Sequence, residues 1–224
     1  MRSKYCFIDP RDSNAYEYVK IEIRNYVNPP IWMSENLKYA DSVRTPSLKG
    51  KTFCFDDDLA NCEKTGPLYT WAAAIDSIKL ATDLDNPQKC GYGEKQCTFS
   101  KNEQGICPDG WHLPKEDEWF FLYRSVGGID VAGKALKSQS GWNVHTDGSG
   151  GNGSDSVGFN GYPGGYRTDN GGYHHYQGDA SYWSAIDASG TKTEMIWLDS
   201  VRVYVRENEI GKKWGASIRC VKNM

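Results

Sequence analysis

Apolar and polar positions first alternate from Tyr18 to Ile23, where Val19, Ile21 and Ile23 fall on one side of the backbone. That is the period of a half-buried strand. Asn28-Pro29-Pro30 reads as a turn, and Ile31-Trp32-Met33 as a second short strand. The period then changes. From Tyr69 to Ala81, Trp71, Ala74, Ile75 and Ile78 recur at helical spacing and predict a helix with one buried face. A second helix is predicted over Lys115 to Val126. Pro114 suits its first turn, Glu116, Asp117 and Glu118 favour its positive N-terminal end, and Trp119, Leu122 and Tyr123 are spaced for burial. Gly127-Gly128 ends it, and Gly133 to Ser138 adds one further helical turn.

From Gly141 to Gly178 neither period holds, and Gly, Asn, Asp, Tyr and His dominate. Strands are predicted again at Ala180–Ala185, Glu194–Leu198, Val201–Arg206 and Ala216–Val221. In the third of these, Val201, Val203 and Val205 alternate with Arg202, Tyr204 and Arg206, giving one buried and one solvated face. Asp199-Ser200 and Asn208–Gly211 read as turns. The order is strand, helix, helix, long loop, antiparallel strands, with no repeat, linker or second domain. The expectation is one domain over 1–224, with 1–17 as an N-terminal extension.

Composition sharpens this. The 224 residues are 38% hydrophobic, and no apolar run approaches the roughly 18–20 residues that a membrane span needs. Eight Trp and 14 Tyr stand among 24 Gly, a mixture suited to rigid loops that present rings for recognition. Net charge is -3 and the basic residues are scattered singly, which argues against nucleic acid as partner.

Seven cysteines are many for a cytosolic enzyme of this length. Cys54 and Cys62 bracket a short acidic loop, Cys90 and Cys97 bracket a Gly-Tyr-Gly turn, Cys107 precedes Pro108, and Cys220 lies near the C-terminus. Two local pairs and one long-range pair (Cys54–Cys62, Cys90–Cys97 and Cys107–Cys220) use six and leave Cys6, although six cysteines allow many pairings. The two ends of the chain share a sheet if Cys107 reaches Cys220. No CxxC occurs and no histidine falls at ligand spacing beside the cysteines, so disulfides are favoured over zinc thiolates. An oxidising compartment follows, with a leader already removed, since Met1 to Lys4 has no apolar segment. Cys6 reads as an unpaired thiol, with a lipid anchor or a partner outside this sequence as the alternatives.

The segments Ile31-Trp-Met-Ser-Glu-Asn-Leu37, Gly66-Pro-Leu-Tyr-Thr-Trp-Ala-Ala-Ala74, Cys107-Pro-Asp-Gly-Trp-His-Leu-Pro114 and Arg219-Cys-Val-Lys222 resemble the Fibrobacter succinogenes major paralogous domain family. Ser140-Gly-Trp142, Gly158-Phe159, Pro163-Gly-Gly-Tyr-Arg167 and Tyr182-Trp-Ser184 match in order between them, so the resemblance runs from about Asp9 to Asn223. It implies an α+β, C-type-lectin-like fold of the formylglycine-generating-enzyme-like group: two helices on small antiparallel sheets, a long irregular loop region, and disulfide bracing. It also implies secreted or surface-attached bacterial proteins of adhesion to plant fibre or other glycan, with no established reaction.

Within that scaffold, Trp142, Tyr162, Tyr166, Arg167, Asp169, Tyr173, His174, His175, Tyr176 and Asp179 are the expected ligand-binding residues. Sugar rings stack on aromatic faces while Asp, Asn and Arg hold hydroxyls, and binding residues concentrate on loops held by a rigid frame. Trp111, Trp119 and Trp183 are expected in the core. Adjacent His174 and His175 in a strand point to opposite faces, so one at most reaches a given site. His112 reads as a structural hydrogen-bonder.

The familiar calcium-dependent sugar triplets are missing, and Trp142-Asn143 is followed by Val144. No cofactor is implied. Calcium is the one ion admitted by the oxygen-rich loop that holds Asp147, Asn152 and Asp155, which lacks EF-hand spacing. No catalytic motif appears, and a formylglycine-type reaction needs a close reactive cysteine pair, for which Cys220 stands alone in its half. The expected function is an extracellular or cell-surface binding module for glycan, with a structural or protein-interaction module of an adhesion apparatus as the alternative. An aromatic row in a groove favours glycan, and a flat apolar patch favours protein.

Overall fold

The two ends of the chain meet in one antiparallel sheet. The structure, a computed structural model, describes residues 5–23, 27–93, 95–99, 102–148 and 150–224. Residues 1–4, and Ser149 of the oxygen-rich loop, lie outside these. The chain begins with β1 (Tyr5–Ile8), β2 (Ala15–Lys20), β3 (Ile31–Met33), β4 (Thr52–Phe53), α1 (Leu59–Thr65) and β5 (Leu68–Thr70). Next come α2 (Trp71–Ala74), α3 (Ser77–Ala81), β6 (Trp111–His112), α4 (Glu116–Ser125) and α5 (Ile129–Leu136). The last part holds β7 (Tyr166–Arg167), β8 (Tyr173–His174), β9 (Asp179–Trp183), β10 (Lys192–Asp199), β11 (Arg206–Gly211), β12 (Gly215–Ala216) and β13 (Val221–Lys222).

These strands make three sheets, in the orders β1-β2-β3-β13-β6, β11-β10-β9 and β4-β5-β12-β7-β8. Residues 5–17, read as an extension, supply β1 and the first half of β2, where Phe7 stacks on Trp111 with ring centroids 4.8 Å apart. Cys107 is bonded to Cys220, and Val221 pairs with both Trp32 and His112, so the last strand closes the first sheet. Cys54–Cys62 and Cys90–Cys97 are the local bridges, and Cys6 is free and exposed. The described residues thus form a mixed α and β architecture with short helices, antiparallel sheets and three disulfides.

Two buried clusters fill the space between layers. One gathers Tyr69, Trp71, Trp183 and Met195 around the Cys107–Cys220 bridge; the other gathers Trp32, Trp119, Phe159 and Tyr182 under α4 and α5. Trp111, Trp119 and Trp183 are all buried. Arg219 is fully buried beside Phe159 and donates to Asn36 Oδ1 (2.7 Å), to the Met33 carbonyl (3.1 Å) and to the carbonyl of Phe159. A buried guanidinium tolerates this because carbonyl oxygens satisfy its fork.

The second predicted helix matches α4, whose end is set by Gly127 and Gly128 at φ 106° and 111°. The first does not run through. It is a strand, β5, followed by α2 and α3 with Asp76 between them at φ 51°. Ser47 Oγ bonds Asp76 Oδ1 (2.5 Å) and accepts from the Ile78 N–H (2.9 Å), so a distant serine breaks the helix and leaves Ile78 exposed. The strand expected at Val201–Arg206 is also absent. Asp199 Oδ1 accepts the N–H groups of Val201 (3.0 Å) and Arg202 (2.7 Å), turning the chain out of the sheet, and pairing resumes as β11 where a turn was expected.

Candidate functional site

Tyr166 stands at the centre of the aromatic residues that converge on the surface. It starts the β7–β8 hairpin, and Gly165 before it must lack a side chain. At φ 71°, an added Cβ there comes within 2.7 Å of the Phe55 ring and 2.6 Å of the His174 carbonyl oxygen. Around Tyr166, Trp214 stacks at 5.3 Å and 11°, and Trp197 meets it edge-on at 5.9 Å. These rings wall a cleft of about 290 Å³ that His145, His175, Asp179, Asp199, Ser200, Arg202 and Arg206 also line.

The ladders explain which polar groups arrive there. Asp179 of β9 stands opposite Asp199 of β10, and Arg206 of β11 opposite Trp197. Arg206 lies over the Trp197 ring at 5.0 Å and reaches Asp199 Oδ2 (3.2 Å) and Asp179 Oδ2 (3.8 Å). Asp199 Oδ2 also accepts from Arg202 at 2.8 Å. Burial works against the Asp199 charge, but the Arg202 hydrogen bonds win and hold its carboxyl below the ordinary carboxylate value. Asp179 goes the other way. Burial pushes its pKa up, only partly offset by His175, whose Nδ1 lies 3.3 Å away, and by Arg206. Trp197 is buried, and its indole N–H has no hydrogen-bond partner among the described residues. The cleft thus combines fixed rings, two guanidiniums and two carboxylates, one of them desolvated.

The expected binding residues divide into separate places. Tyr166, His175 and Asp179 line the cleft. His174 and His175 do not diverge as strand neighbours do. The strand β8 ends at His174, His175 turns at φ 58°, and both rings come within 5.6 Å of Tyr166. Arg167, Tyr173 and Tyr176 pack elsewhere, against the loop braced by Cys54–Cys62. Arg167 lies 3.9 Å from the Phe53 ring centre, Tyr173 donates to Asp57 (2.5 Å), and Tyr176 lies 4.9 Å from Phe55. Tyr162 is half-buried under Lys64, and Asp169 is exposed in the β7–β8 turn. Trp142 is not a surface ring. It is buried beneath the Lys137 ammonium (4.9 Å) and donates to Ser138 Oγ at 3.0 Å.

Of the calcium candidates, Asn152 Oδ1 accepts the Trp142 N–H (3.1 Å) and Asp155 Oδ1 the Asn160 N–H (2.7 Å), so both serve the loop's own turns. Asp147 is the third. Among the described residues no three His, Cys, Asp or Glu side chains converge as metal ligands do.

The family pattern of the Fibrobacter succinogenes major domain (Fib_succ_major) matches residues 27–222. The chain belongs to this family. Compared with the curated proteins and with the solved structures, it matches none. The strings that carried its family resemblance are mostly structural here. Cys107 is bridged, Trp111 stacks in the first sheet, and His112 joins Glu118 (2.8 Å) to Asn223 (2.6 Å). Trp71 donates to the Ser184 carbonyl (3.2 Å). Tyr166 is where these strings reach the cleft.

Trp197, Trp214, Arg206, Asp199 and His145 were not among the expected site residues. Arg202 and Arg206 read as the solvated face of a strand, and Trp197 as an ordinary strand residue. The β9–β10–β11 pairing brings Trp197, Asp199 and Arg206 beside Tyr166, and the pairing of Gly215 with Arg167 brings Trp214.

Proposed function

We propose that this domain is an extracellular or cell-surface binding module that holds glycan, of the plant-cell-wall kind, in the Tyr166 cleft of a C-type-lectin-like scaffold. The observation that carries the reading is the pre-stacked Tyr166–Trp214 pair, which walls the cleft together with the Trp197 ring. Fixed rings offer apolar C–H surfaces a partner at little entropic cost. Arg206 and Asp179 add a donor and an acceptor in the same cleft.

Hydrolysis is less well supported than binding. A glycosidase needs one acid and one free carboxylate, and both oxygens of Asp199 are occupied by Val201, Arg202 and Arg206. Three disulfides in a domain of this size fit an oxidising exterior.

The test is retention on insoluble cellulose and xylan together with glycan-array binding. Wild type and Tyr173→Ala are expected to be retained, and a Tyr166→Ala/Trp214→Ala variant to be lost. Absence of wild-type binding, or equal binding by the Tyr166/Trp214 variant, overturns the reading.

A further inference from the structure

The other face of the β9–β10–β11 sheet carries carboxylates that nothing neutralises. Glu194 of β10 stands directly opposite Glu209 of β11, and Ile196 opposite Glu207. Alternation therefore puts Glu194, Glu207 and Glu209 on one face, while Trp197 and Arg206 turn to the other, into the aromatic cleft. Like charges directly opposite in a ladder destabilise it. Glu116, in the first turn of α4, joins the group. Burial, then Glu207, Glu116 and Glu209, push the Glu194 carboxyl up to about 7. Among the described residues none of these four glutamates makes an ion pair; Arg124 of α4, on the same side, lies instead over the Phe120 ring, 5.6 Å from its centre.

Between α4 and β11 this face opens into a cleft of about 330 Å³. Phe120, 54% exposed, and Ile129, 38% exposed, give it an apolar wall. Tyr123 also lines it, is only 3% exposed, and has its hydroxyl turned to the Glu207 carboxylate. Burial and then the Glu207 carboxylate raise its pKa. An apolar wall leading to carboxylates that outnumber the one guanidinium beside them matches a cation carried on an alkyl stem. It does not match a bare metal ion, because no three of these carboxylates converge.

We propose that this cleft docks a basic segment of a partner protein. A lysine or arginine stem lies on Phe120 and Ile129, and its cationic head rests among Glu116, Glu194 and Glu207. The glutamates that repel one another in the free domain are then paired on binding.

The test is fluorescence anisotropy with a fluorescein-labelled peptide alternating leucine with lysine and arginine, against a counterpart with glutamate at the basic positions. The basic peptide is expected to bind wild type and the Tyr166→Ala/Trp214→Ala variant alike, and the acidic one neither. Glu116→Gln/Glu207→Gln is expected to weaken binding about tenfold or more. These isosteric changes relieve repulsion, so a melting curve no lower than that of wild type checks the fold. Asp83→Asn/Asp85→Asn, two acids on another exposed loop, is the control for net charge and is expected to leave affinity unchanged. No binding of the basic peptide, equal binding by the glutamine variant, or equal weakening by the Asp83/Asp85 variant overturns the proposal.

Discussion

Tyr166 and Trp214 lie ring on ring, 5.3 Å between centroids and 11° from parallel. Trp214 precedes β12 and Tyr166 starts β7, so the pairing of Gly215 with Arg167 sets the stack. Stacking fixes both rings before any ligand arrives. Trp214→Phe keeps a ring in place and is expected to lower affinity for cello- or xylohexaose less than tenfold, whereas Trp214→Ala costs about tenfold or more. Calorimetric titration of the three proteins checks the order, and equal affinities contradict it.

The long bridge is expected to matter most for stability. Cys107–Cys220 closes a loop with a sequence separation of 113, against 8 for Cys54–Cys62. Loop-closure entropy then gives about 4–5 kcal/mol for the first and about 2–3 kcal/mol for the second. Urea midpoints of the paired Cys→Ala variants measure this, and a larger loss for Cys54/Cys62 contradicts it.

Arg219→Met is expected to lower stability by about 3–5 kcal/mol, because Asn36 and the carbonyls of Met33 and Phe159 lose their donors inside the core. Arg219→Lys is expected to recover little. An ammonium cannot span acceptors that a planar guanidinium fork reaches together. Chemical denaturation of both variants decides it.

Glu194 gives the domain a pH dependence of known sign. Its carboxyl has an ordinary value of 4.5 and stands at about 7 in the fold, through burial and the facing Glu207, Glu116 and Glu209. The folded state therefore keeps a proton that the unfolded chain releases. Stability falls as pH rises from about 4.5 to about 7, and the penalty is full above that window. Glu194 is partly open to solvent, which screens the effect without reversing it. Glu194→Gln is expected to raise the melting temperature at pH 8 and to change it little at pH 4. An equal change at both contradicts the assignment.

Much of the frame is legible in local chemistry. Cysteine spacing suggests two local bridges and one long one, which the structure holds, and the Pro114-to-Gly128 signals give α4. What is not legible depends on contacts made far along the chain. The Tyr69–Ala81 periodicity cannot reveal that Ser47 will capture Asp76 and break the helix. The valine alternation after Val201 cannot reveal that Asp199 will hold the next two amides and turn the chain away. The site follows the same rule. Tyr166, His175 and Asp179 stand in the loop-rich stretch that draws attention to them, but their partners Trp197, Arg206 and Trp214 come from later segments. Trp142, in the same stretch, is drawn into the core under Lys137.

The most direct test is the indole N–H resonance of Trp197 during titration of the isotope-labelled domain with xylo- and cello-oligosaccharides. If glycan enters the Tyr166 cleft, that resonance shifts on saturation. The indoles of Trp71 and Trp183, bonded to the carbonyls of Ser184 and Tyr69, stay in place. No shift at Trp197 at saturating oligosaccharide, or shifts confined to other surfaces, contradicts the account.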